Sequence, residues 1–253
     1  VRSVLLPHNP NAFTRAPLDR AGHLRKDEAW LKAALANEQT SLLVFNKGRP
    51  FLYEENGGLF VRWLAPQVHE QLGDRDLPLL FLGLDNHEAP HFACEIADAD
   101  ALGDLGVFEE LRPAAARMPG DKLAIIGAAK AVFEWHGRNR FCANCGTASR
   151  VVEAGWVRKC DACSAEHYPR VDPVCIMAPT FGDRVFLGRQ KAWPRGMHSA
   201  LAGFIEPGEA IEEAVARETL EEAGLKVRHV EMHSTQPWPF PHSLMIGVLC
   251  EVE

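Results

Sequence analysis

The chain has 253 residues, of which 47% are hydrophobic and 24% are charged, and its formal net charge is −7. This length and composition indicate about two globular domains, and the acidic balance argues against a dedicated nucleic-acid-binding module. No apolar run approaches the roughly eighteen residues that a spanning helix needs, so no membrane association is predicted.

The N-terminal part, residues 1–120, is predicted to be a mostly β domain. Its strand-like segments are 41–45, 51–54, 59–64, 79–84 and 91–96. The turn signal Asn56-Gly57-Gly58 predicts a hairpin between the second and third of these segments. Residues 121–140 follow as a helical linker with a helix over 121–135. This part carries no chemical motif.

Two Cys-x-x-Cys pairs follow within residues 141–170. Cys142 and Cys145 are separated by fourteen residues from Cys160 and Cys163, a spacing typical of a four-thiolate zinc ribbon. A closed four-cysteine shell predicts a structural zinc ion. Two disulfides or a redox pair are the alternatives, but no thioredoxin-like βαβ pattern surrounds either pair. The leftover cysteines, Cys94, Cys175 and Cys250, indicate a reducing cytoplasm.

A loop and helix between Gly203 and Gly224 carry the clearest chemical pattern. Glu218, Glu221 and Glu222 are spaced i, i+3 and i+4, which places their carboxylates on one helical face. Crowded carboxylates suit a hard divalent cation such as Mg²⁺, which also binds phosphate oxygens. Arg217 is predicted to pair with a neighbouring carboxylate, and Gly203 to expose the carbonyl of Ala202 as a ligand. Three solvated glutamates are the structural alternative.

The segment 234–243 alternates three prolines with Trp238 and Phe240. Prolines keep a segment extended, and the two aromatic rings offer flat surfaces to a base, while Gln236 and Ser243 offer hydrogen bonds. Packing is the alternative role for these rings. The last segment, 244–253, reads as one strand.

These motifs resemble those of a known family. Gly203 to Leu225 resembles the signature of the Nudix hydrolases, with Thr219 standing where the pattern has an aliphatic residue, which puts packing in question. Segment 236–243 resembles the Gln-Pro-Trp-Pro-Phe-Pro-x-Ser motif of the family's NADH pyrophosphatase branch. The resemblance implies an α+β chain with a mostly β N-terminal domain, a small zinc ribbon and a Nudix α/β/α sandwich at 171–253.

The resemblance also implies roles for individual residues. Glu218 and Glu222 are expected to ligate Mg²⁺ or Mn²⁺ together with the Ala202 carbonyl, and Glu221 to ligate or act as base. Arg217 completes the catalytic set. The substrate-binding residues that the resemblance implies are Tyr168, Phe204, Gln236, Pro237, Trp238, Pro239, Phe240, Pro241, His242 and Ser243. For Tyr168 and Phe204, core packing is the alternative.

The implied activity is hydrolysis of the pyrophosphate of NADH or NAD to nicotinamide mononucleotide and AMP, and removal of NAD caps from RNA 5′ ends. A homodimer is implied as well. Only 31 residues follow Glu222, which predicts a Nudix domain shortened at its C-terminus. Two alternatives therefore stay open: a Nudix hydrolase of ADP-ribose or dinucleoside polyphosphates, and a non-catalytic binding or assembly protein.

Overall fold

The computed structural model describes residues 9–73 and 77–253. Among these residues the chain divides into two compact units. The N-terminal unit comprises residues 12–170 and 239–242, and the C-terminal unit comprises residues 9–11, 171–238 and 243–253.

The N-terminal unit is built on one mixed sheet. Its strands are β1 (Ser41–Asn46), β2 (Arg49–Glu55), β3 (Gly58–Val61), β4 (Leu80–Leu84), β5 (Pro90–Glu95) and β6 (Val107–Phe108). The order is β3-β2-β1-β5-β4, with β6 paired to β2, and β1 is parallel to β5. Its α-helices are α1 (Glu28–Leu35), α2 (Gln67–Leu72), α3 (Leu111–Ala114) and α4 (Gly120–Arg138). Short 3-10 helices span Gly22–Lys26, Ala99–Leu105 and Ala115–Arg117.

The predicted strands and helix of this unit are confirmed. Strands β2 and β3 pair in antiparallel register with Glu55 opposite Gly58, so Asn56 and Gly57 form a two-residue turn. Both turn residues have positive φ, +50° and +78°, the conformation that a tight hairpin requires. The third strand ends at Val61, earlier than predicted, and Leu64 instead makes an isolated bridge to Leu42.

A small three-stranded antiparallel sheet follows helix α4. Its strands are β7 (Arg150–Val152), β8 (Val157–Lys159) and β9 (Glu166–His167), and a 3-10 turn spans Glu153–Gly155. Buried polar contacts attach it to α4: His136 Nε2 lies 2.8 Å from the Gly155 carbonyl, and Arg158 Nη1 lies 3.1 Å from His136 Nδ1. Arg158 also donates to the hydroxyl and the carbonyl of Ser149.

This arrangement fixes the tautomer of His136. Nε2–H donates to the carbonyl, and Nδ1 accepts from the guanidinium, so the ring is neutral. Burial, and to a lesser degree the charge of Arg158, lower the pKa of His136 to about 4, although the Gly155 hydrogen bond opposes the shift.

The C-terminal unit is a second mixed sheet with one long helix on it. The strands are β10 (Asp172–Phe181), β11 (Arg184–Val185), β12 (Leu201–Phe204), β13 (Val227–Trp238) and β14 (Ser243–Val252). The order is β11-β10-β14-β13, with β12 paired to β10 and β14 parallel to β10. The predicted final strand is confirmed as β14, and it lies inside the sheet.

Helix α5 (Ile211–Ala223) packs its apolar face on this sheet. Ala214, Val215 and Thr219 are its buried residues, and they lie against a core that includes Cys175, Met177, Ile246, Val248 and Cys250. The helix ends where the sequence predicts, because Gly224 adopts φ +69° and its N–H donates to the Leu220 carbonyl. The opposite face of the helix is therefore left for the glutamates.

Among the described helices, none combines the length and the apolarity that a membrane crossing requires. No disulfide joins any of the seven cysteines, all of which lie in the described part of the chain.

Candidate active site and zinc centre

Helix α5 carries Glu218 directly over the backbone of β12. A β-carbon added to Gly203 would lie 1.9 Å from Glu218 Cδ and 2.0 Å from Oε1. Only a residue without a side chain allows this approach, so glycine at position 203 lets the carboxylate occupy the space beside the strand. Ala202 precedes it on β12, opposite Ile176 of β10.

Arg217 connects the loop before α5 to the glutamates. Its Nε and Nη2 donate to the two carboxylate oxygens of Glu209 at 2.6 and 2.9 Å, and Nη2 also donates to the Phe204 carbonyl at 3.0 Å. Its Nη1 donates to Glu218 Oε1 at 2.8 Å and to Glu221 Oε2 at 3.3 Å. The sequence predicts a carboxylate partner for Arg217, and the structure identifies Glu209, Glu218 and Glu221.

Glu209 is anchored at both carboxylate oxygens. Besides Arg217 it accepts a hydrogen bond of 2.9 Å from the Glu206 backbone N–H. The Arg217 hydrogen bond, followed by the backbone one, lowers the pKa of Glu209 to about 2. Glu209 therefore remains ionised at neutral pH and fixes the position of the arginine.

Glu222 stands in a different environment on the same face. Partial burial, and then the charge of Glu218, raise the pKa of its carboxyl above the usual range. An added positive charge beside Glu218 and Glu222 would relieve this repulsion.

The donor set suits a hard divalent cation. It comprises carboxylates and a strand carbonyl, which are oxygen ligands. The space beside the Gly203 backbone, which a β-carbon would fill, is open to the Glu218 carboxylate. Among the described residues, the carboxylate oxygens of this face do not form a group of ligand atoms close together, and Arg217 pairs with those of Glu218 and Glu221. The four cysteines are the described group whose ligand atoms do converge.

Thr219 lies beneath this face. Its side chain is fully buried, and Oγ1 faces the Cys250 thiol but has no hydrogen bond of full geometry to a described residue. The expectation that this threonine bears on packing therefore has a physical basis, since a buried hydroxyl without a partner costs stability.

The four cysteine sulfurs lie within 4.8 Å of one another. The Sγ atoms of Cys142 and Cys163 are 3.6 Å apart, and those of Cys145 and Cys160 are 3.5 Å apart. Tetrahedral zinc with bonds of about 2.3 Å places its sulfurs at nearly this separation, whereas a disulfide requires about 2 Å. The structure therefore brings the four predicted cysteines together at the spacing of a four-thiolate zinc site.

The two knuckles of the zinc centre have the same backbone design. The Cys142 carbonyl accepts from Gly146 N–H, and the Cys160 carbonyl accepts from Ser164 N–H, each at 2.9 Å. Gly146 has φ +76° and Ser164 has φ +61°. Each knuckle thus contains one residue in the left-handed backbone conformation.

His167 is a feature of the zinc centre that the sequence analysis missed. Its Nε2 lies 3.2 Å from Cys142 Sγ. Burial alone would raise the pKa of the Cys142 thiol, but hydrogen bonds, led by that of His167, lower it to about 6. A histidine four residues after the last cysteine was the available signal.

The two isolated aromatic candidates are both exposed. Tyr168, in the N-terminal unit, is 61% exposed, and its hydroxyl donates to Glu166 at 2.8 Å. Phe204, in the C-terminal unit, is 60% exposed and lies next to Gly203. Side chains this exposed are not packed in a core, which was the alternative role for both rings.

The segment 236–243 is divided between the two units. Gln236, Pro237 and Trp238 end β13 and Ser243 begins β14, with Trp238 directly opposite Ser243. Pro239, Phe240, Pro241 and His242 form the connecting loop and belong to the N-terminal unit. There Phe240 packs edge-on against Phe13 at 6.0 Å, and Pro239 is buried. Phe240 thus has a packing contact.

Three family models match successive segments of the chain. A NUDIX domain matches residues 169–253, an NADH pyrophosphatase zinc ribbon domain matches residues 138–168, and an NADH pyrophosphatase-like rudimentary NUDIX domain matches residues 39–135. The three matches cover the C-terminal sheet, the small sheet with the cysteines, and the N-terminal sheet with α4.

Several characterised proteins are similar to the chain. The NAD-capped RNA hydrolase NUDT12 of Macaca fascicularis is 34% identical over 285 residues, covering 94% of this chain and 61% of that protein. The NAD-capped RNA hydrolase NudC of Pseudomonas aeruginosa is 37% identical over 204 residues, covering 79% and 70%. A solved NUDIX hydrolase of Nitrosomonas europaea is 27% identical, with a TM-score of 0.40, covering 45% and 68%. The chain thus spans about three fifths of the length of NUDT12.

Proposed function

The chain belongs to the NADH pyrophosphatase branch of the Nudix hydrolases, and from this premise we propose that it hydrolyses the pyrophosphate bond of NADH or NAD. With one water consumed, the products are AMP and nicotinamide mononucleotide, the latter in its reduced form when the substrate is NADH. The proposal extends to removing NAD caps from RNA 5′ ends, since the similar NUDT12 and NudC proteins bear the name NAD-capped RNA hydrolase. The observation that carries the proposal is the position of Glu218. Its carboxylate lies against Gly203 and accepts a hydrogen bond from Arg217.

The proposed site holds Mg²⁺ or Mn²⁺ through Glu218, Glu222 and the Ala202 carbonyl, with Glu221 as a further ligand or as the base. When bound, the cation neutralises the diphosphate of the substrate. Glu221 is the most exposed carboxylate that Arg217 contacts, with a side chain that is 60% exposed, so it is the one open to an attacking water. In this role it accepts the proton of that water.

Arg217 is proposed to position carboxylates rather than to contact substrate. Its guanidinium is engaged by Glu209 and by the Phe204 carbonyl, so it has little freedom to turn toward a ligand. The hydrogen bond from Arg217 Nη1 to Glu218 Oε1 also holds this carboxylate in place on the helix face.

Exposed aromatic rings support the proposed recognition of a base or nicotinamide. Tyr168 and Phe204 expose large flat surfaces, and Trp238 stands across from Ser243 at the end of the hairpin. Gln236, Pro237, Pro239, Phe240, Pro241 and His242 complete the proposed binding segment. Because Phe240 packs on Phe13, its ring is proposed to act indirectly, by fixing the conformation of the loop.

The remaining parts of the proposal concern organisation. Zinc has a structural role, because four thiolates close its shell. Residues 1–120, 121–140, 141–170 and 171–253 serve as β-rich domain, linker, zinc ribbon and hydrolase domain. A homodimer and a cytoplasmic location are proposed as well, the latter because buried Cys94, Cys175 and Cys250 are unpaired.

The test is a substrate panel with Mg²⁺ or Mn²⁺, resolved by chromatography. NADH, NAD and an NAD-capped RNA are compared with ADP-ribose and diadenosine tetraphosphate. We expect AMP from both NADH and NAD, together with reduced nicotinamide mononucleotide from NADH and the oxidised form from NAD. A preference for ADP-ribose would contradict the proposed specificity. Glu222→Gln should reduce turnover by about 10²-fold or more, whereas Glu212→Gln, an exposed change on the same helix, should not.

A further inference from the structure

One stretch of the acidic chain contains no acidic residue. Between Asp183 and Glu206 lie 22 residues with four cations, Arg184, Arg189, Lys191 and Arg195, together with His198. The chain as a whole has a net charge of −7, so this stretch reverses the sign of the local charge. Such asymmetry is a feature of surfaces that bind polyanions.

Most of these cations lie on a closed loop. Gly188 and Ser199 exchange two backbone hydrogen bonds, of 2.8 and 3.0 Å, which pin the ends of residues 189–198 together. We call residues 189–198 the cationic loop. Inside it Arg189 donates to the Trp193 carbonyl at 2.6 Å, and Met197 N–H donates to the Pro194 carbonyl. The loop is therefore closed at its base and supported inside by its own hydrogen bonds.

The cations of the loop are exposed and uncompensated. Arg189, Lys191 and Arg195 are all exposed, and none forms an ion pair with a carboxylate in the described ranges 9–73 and 77–253. Other surface cations of the same unit do, as the 3.2 Å pair of Arg228 and Glu251 shows. Uncompensated exposed charge is available to an incoming anion at no cost of breaking a pair.

Apolar side chains accompany these charges. Met197 is 47% exposed and Phe186, just before the loop, is 39% exposed, while Trp193 is half-buried within it. Single-stranded nucleic acid is bound by this combination, in which cations contact phosphates and flat or apolar side chains contact bases. A surface for small inorganic anions would not need the apolar part.

The loop leads directly into the proposed catalytic strand. Ser199, at the base of the loop, stands three residues before Ala202, a distance of at most about 10 Å along an extended strand. The base of the loop therefore adjoins the strand that carries the proposed diphosphate site.

We propose that the cationic loop binds the phosphodiester backbone of the RNA that follows an NAD cap. This inference rests on the proposed function, in which the cap occupies the site formed by α5 and β12. Free dinucleotide ends at the site and does not reach the loop. The loop thus distinguishes capped RNA from free NAD by the length of the anion.

The first experiment uses the variant Arg189→Gln/Lys191→Gln/Arg195→Gln. We expect kcat/KM for NADH to stay within about twofold, and KM for an NAD-capped 20-nucleotide RNA to rise about tenfold. The slope of log affinity against log salt should fall by about 2, since each phosphate contact contributes about 0.7 for single strands. Lys191→Gln/Arg195→Gln keeps the Arg189 contact with Trp193 and should show most of the effect, which excludes a merely misfolded loop.

The matched control removes three exposed cations elsewhere, as Lys32→Gln/Lys47→Gln/Lys226→Gln. It changes the net charge equally and should leave KM for the capped RNA within about twofold. An equal loss in this control would overturn the proposal in favour of a general charge effect. A parallel rise of KM for NADH would overturn it too, because the loop would then contact the dinucleotide itself.

A binding measurement separates this inference from the proposed function. Fluorescence anisotropy of the labelled capped RNA, without added Mg²⁺ or Mn²⁺, reports binding even if no substrate is cleaved. Loop-dependent binding supports the inference, and RNA binding that is absent or indifferent to the loop variant overturns it. Vesicles of phosphatidylserine provide the last arm: loop-dependent binding to vesicles but not to RNA would identify a membrane surface instead.

Discussion

Glu218 lies so close to Gly203 that a β-carbon at residue 203 would come within 1.9 Å of its Cδ. Alanine at position 203 must therefore displace this carboxylate from the side of β12. Because a flexible side chain can turn away, the fold is expected to survive the change.

For Gly203→Ala we predict a loss of turnover of about 10²-fold with little change in melting temperature, since a displacement of about 1 Å is that costly to catalysis. Steady-state kinetics and a Mn²⁺ titration measure the two consequences. Gly137→Ala is the matched control, because a β-carbon there has no neighbour within 4 Å. Full activity of Gly203→Ala would remove Glu218 from the site.

Arg217→Lys tests whether the geometry or the charge of Arg217 is needed. Lysine retains the positive charge but cannot reproduce the paired hydrogen bonds of 2.6 and 2.9 Å to Glu209 while also reaching Glu218. We predict weaker Mn²⁺ binding and a turnover lower by about 10²-fold, with KM for NADH changed less than kcat. A selective rise of KM would instead indicate that Arg217 binds substrate.

Thr219→Val should stabilise the protein. The buried hydroxyl has only the Cys250 thiol, a weak hydrogen-bonding group, beside it. Valine has the same shape without the polar atom, so unfolding should cost about 1 kcal/mol more. Thr180→Val is the contrasting variant, because the Thr180 hydroxyl donates to the Cys250 carbonyl at 3.2 Å, and its loss should destabilise by about 1 kcal/mol. Urea unfolding measures both. Destabilisation of Thr219→Val would mean that the hydroxyl has a partner after all.

His136 predicts a specific pH dependence. The folded pKa of about 4 lies below the unfolded value of 6.5, so only the unfolded state takes up a proton between these two pH values. Stability should therefore fall by on the order of 3 kcal/mol as the pH is lowered from about 6.5 to 4, and stay unaffected by this group above pH 7. In His136→Gln this loss of stability between pH 6.5 and pH 4 should be absent. Parallel urea-unfolding profiles for the two proteins would contradict the assignment.

Local spacing made the main features of both sites predictable. The i, i+3, i+4 glutamates follow from helical geometry, and the Cys-x-x-Cys pairs follow from the shape of a knuckle. The sequence did not predict the contact of Arg158 with His136, because it joins residues 22 positions apart through burial rather than through a repeating pattern. Phe240 on Phe13 is a longer-range case, since nothing local indicates which ring a proline-flanked aromatic will meet.

The two zinc knuckles share their hydrogen bonds but not their residue at the left-handed position. Gly146 accepts φ +76° without strain, whereas Ser164 holds φ +61° at a cost of about 1 kcal/mol. The half of the ribbon that contains Ser164 is therefore expected to be the less stable of the two. When a chelator withdraws the ion, the Cys160–Cys163 half is expected to open first and expose its thiols to an alkylating reagent before Cys142 and Cys145. Ser164→Gly should abolish this order, and mass spectrometry of partly alkylated protein would show whether a preferred breaking point exists.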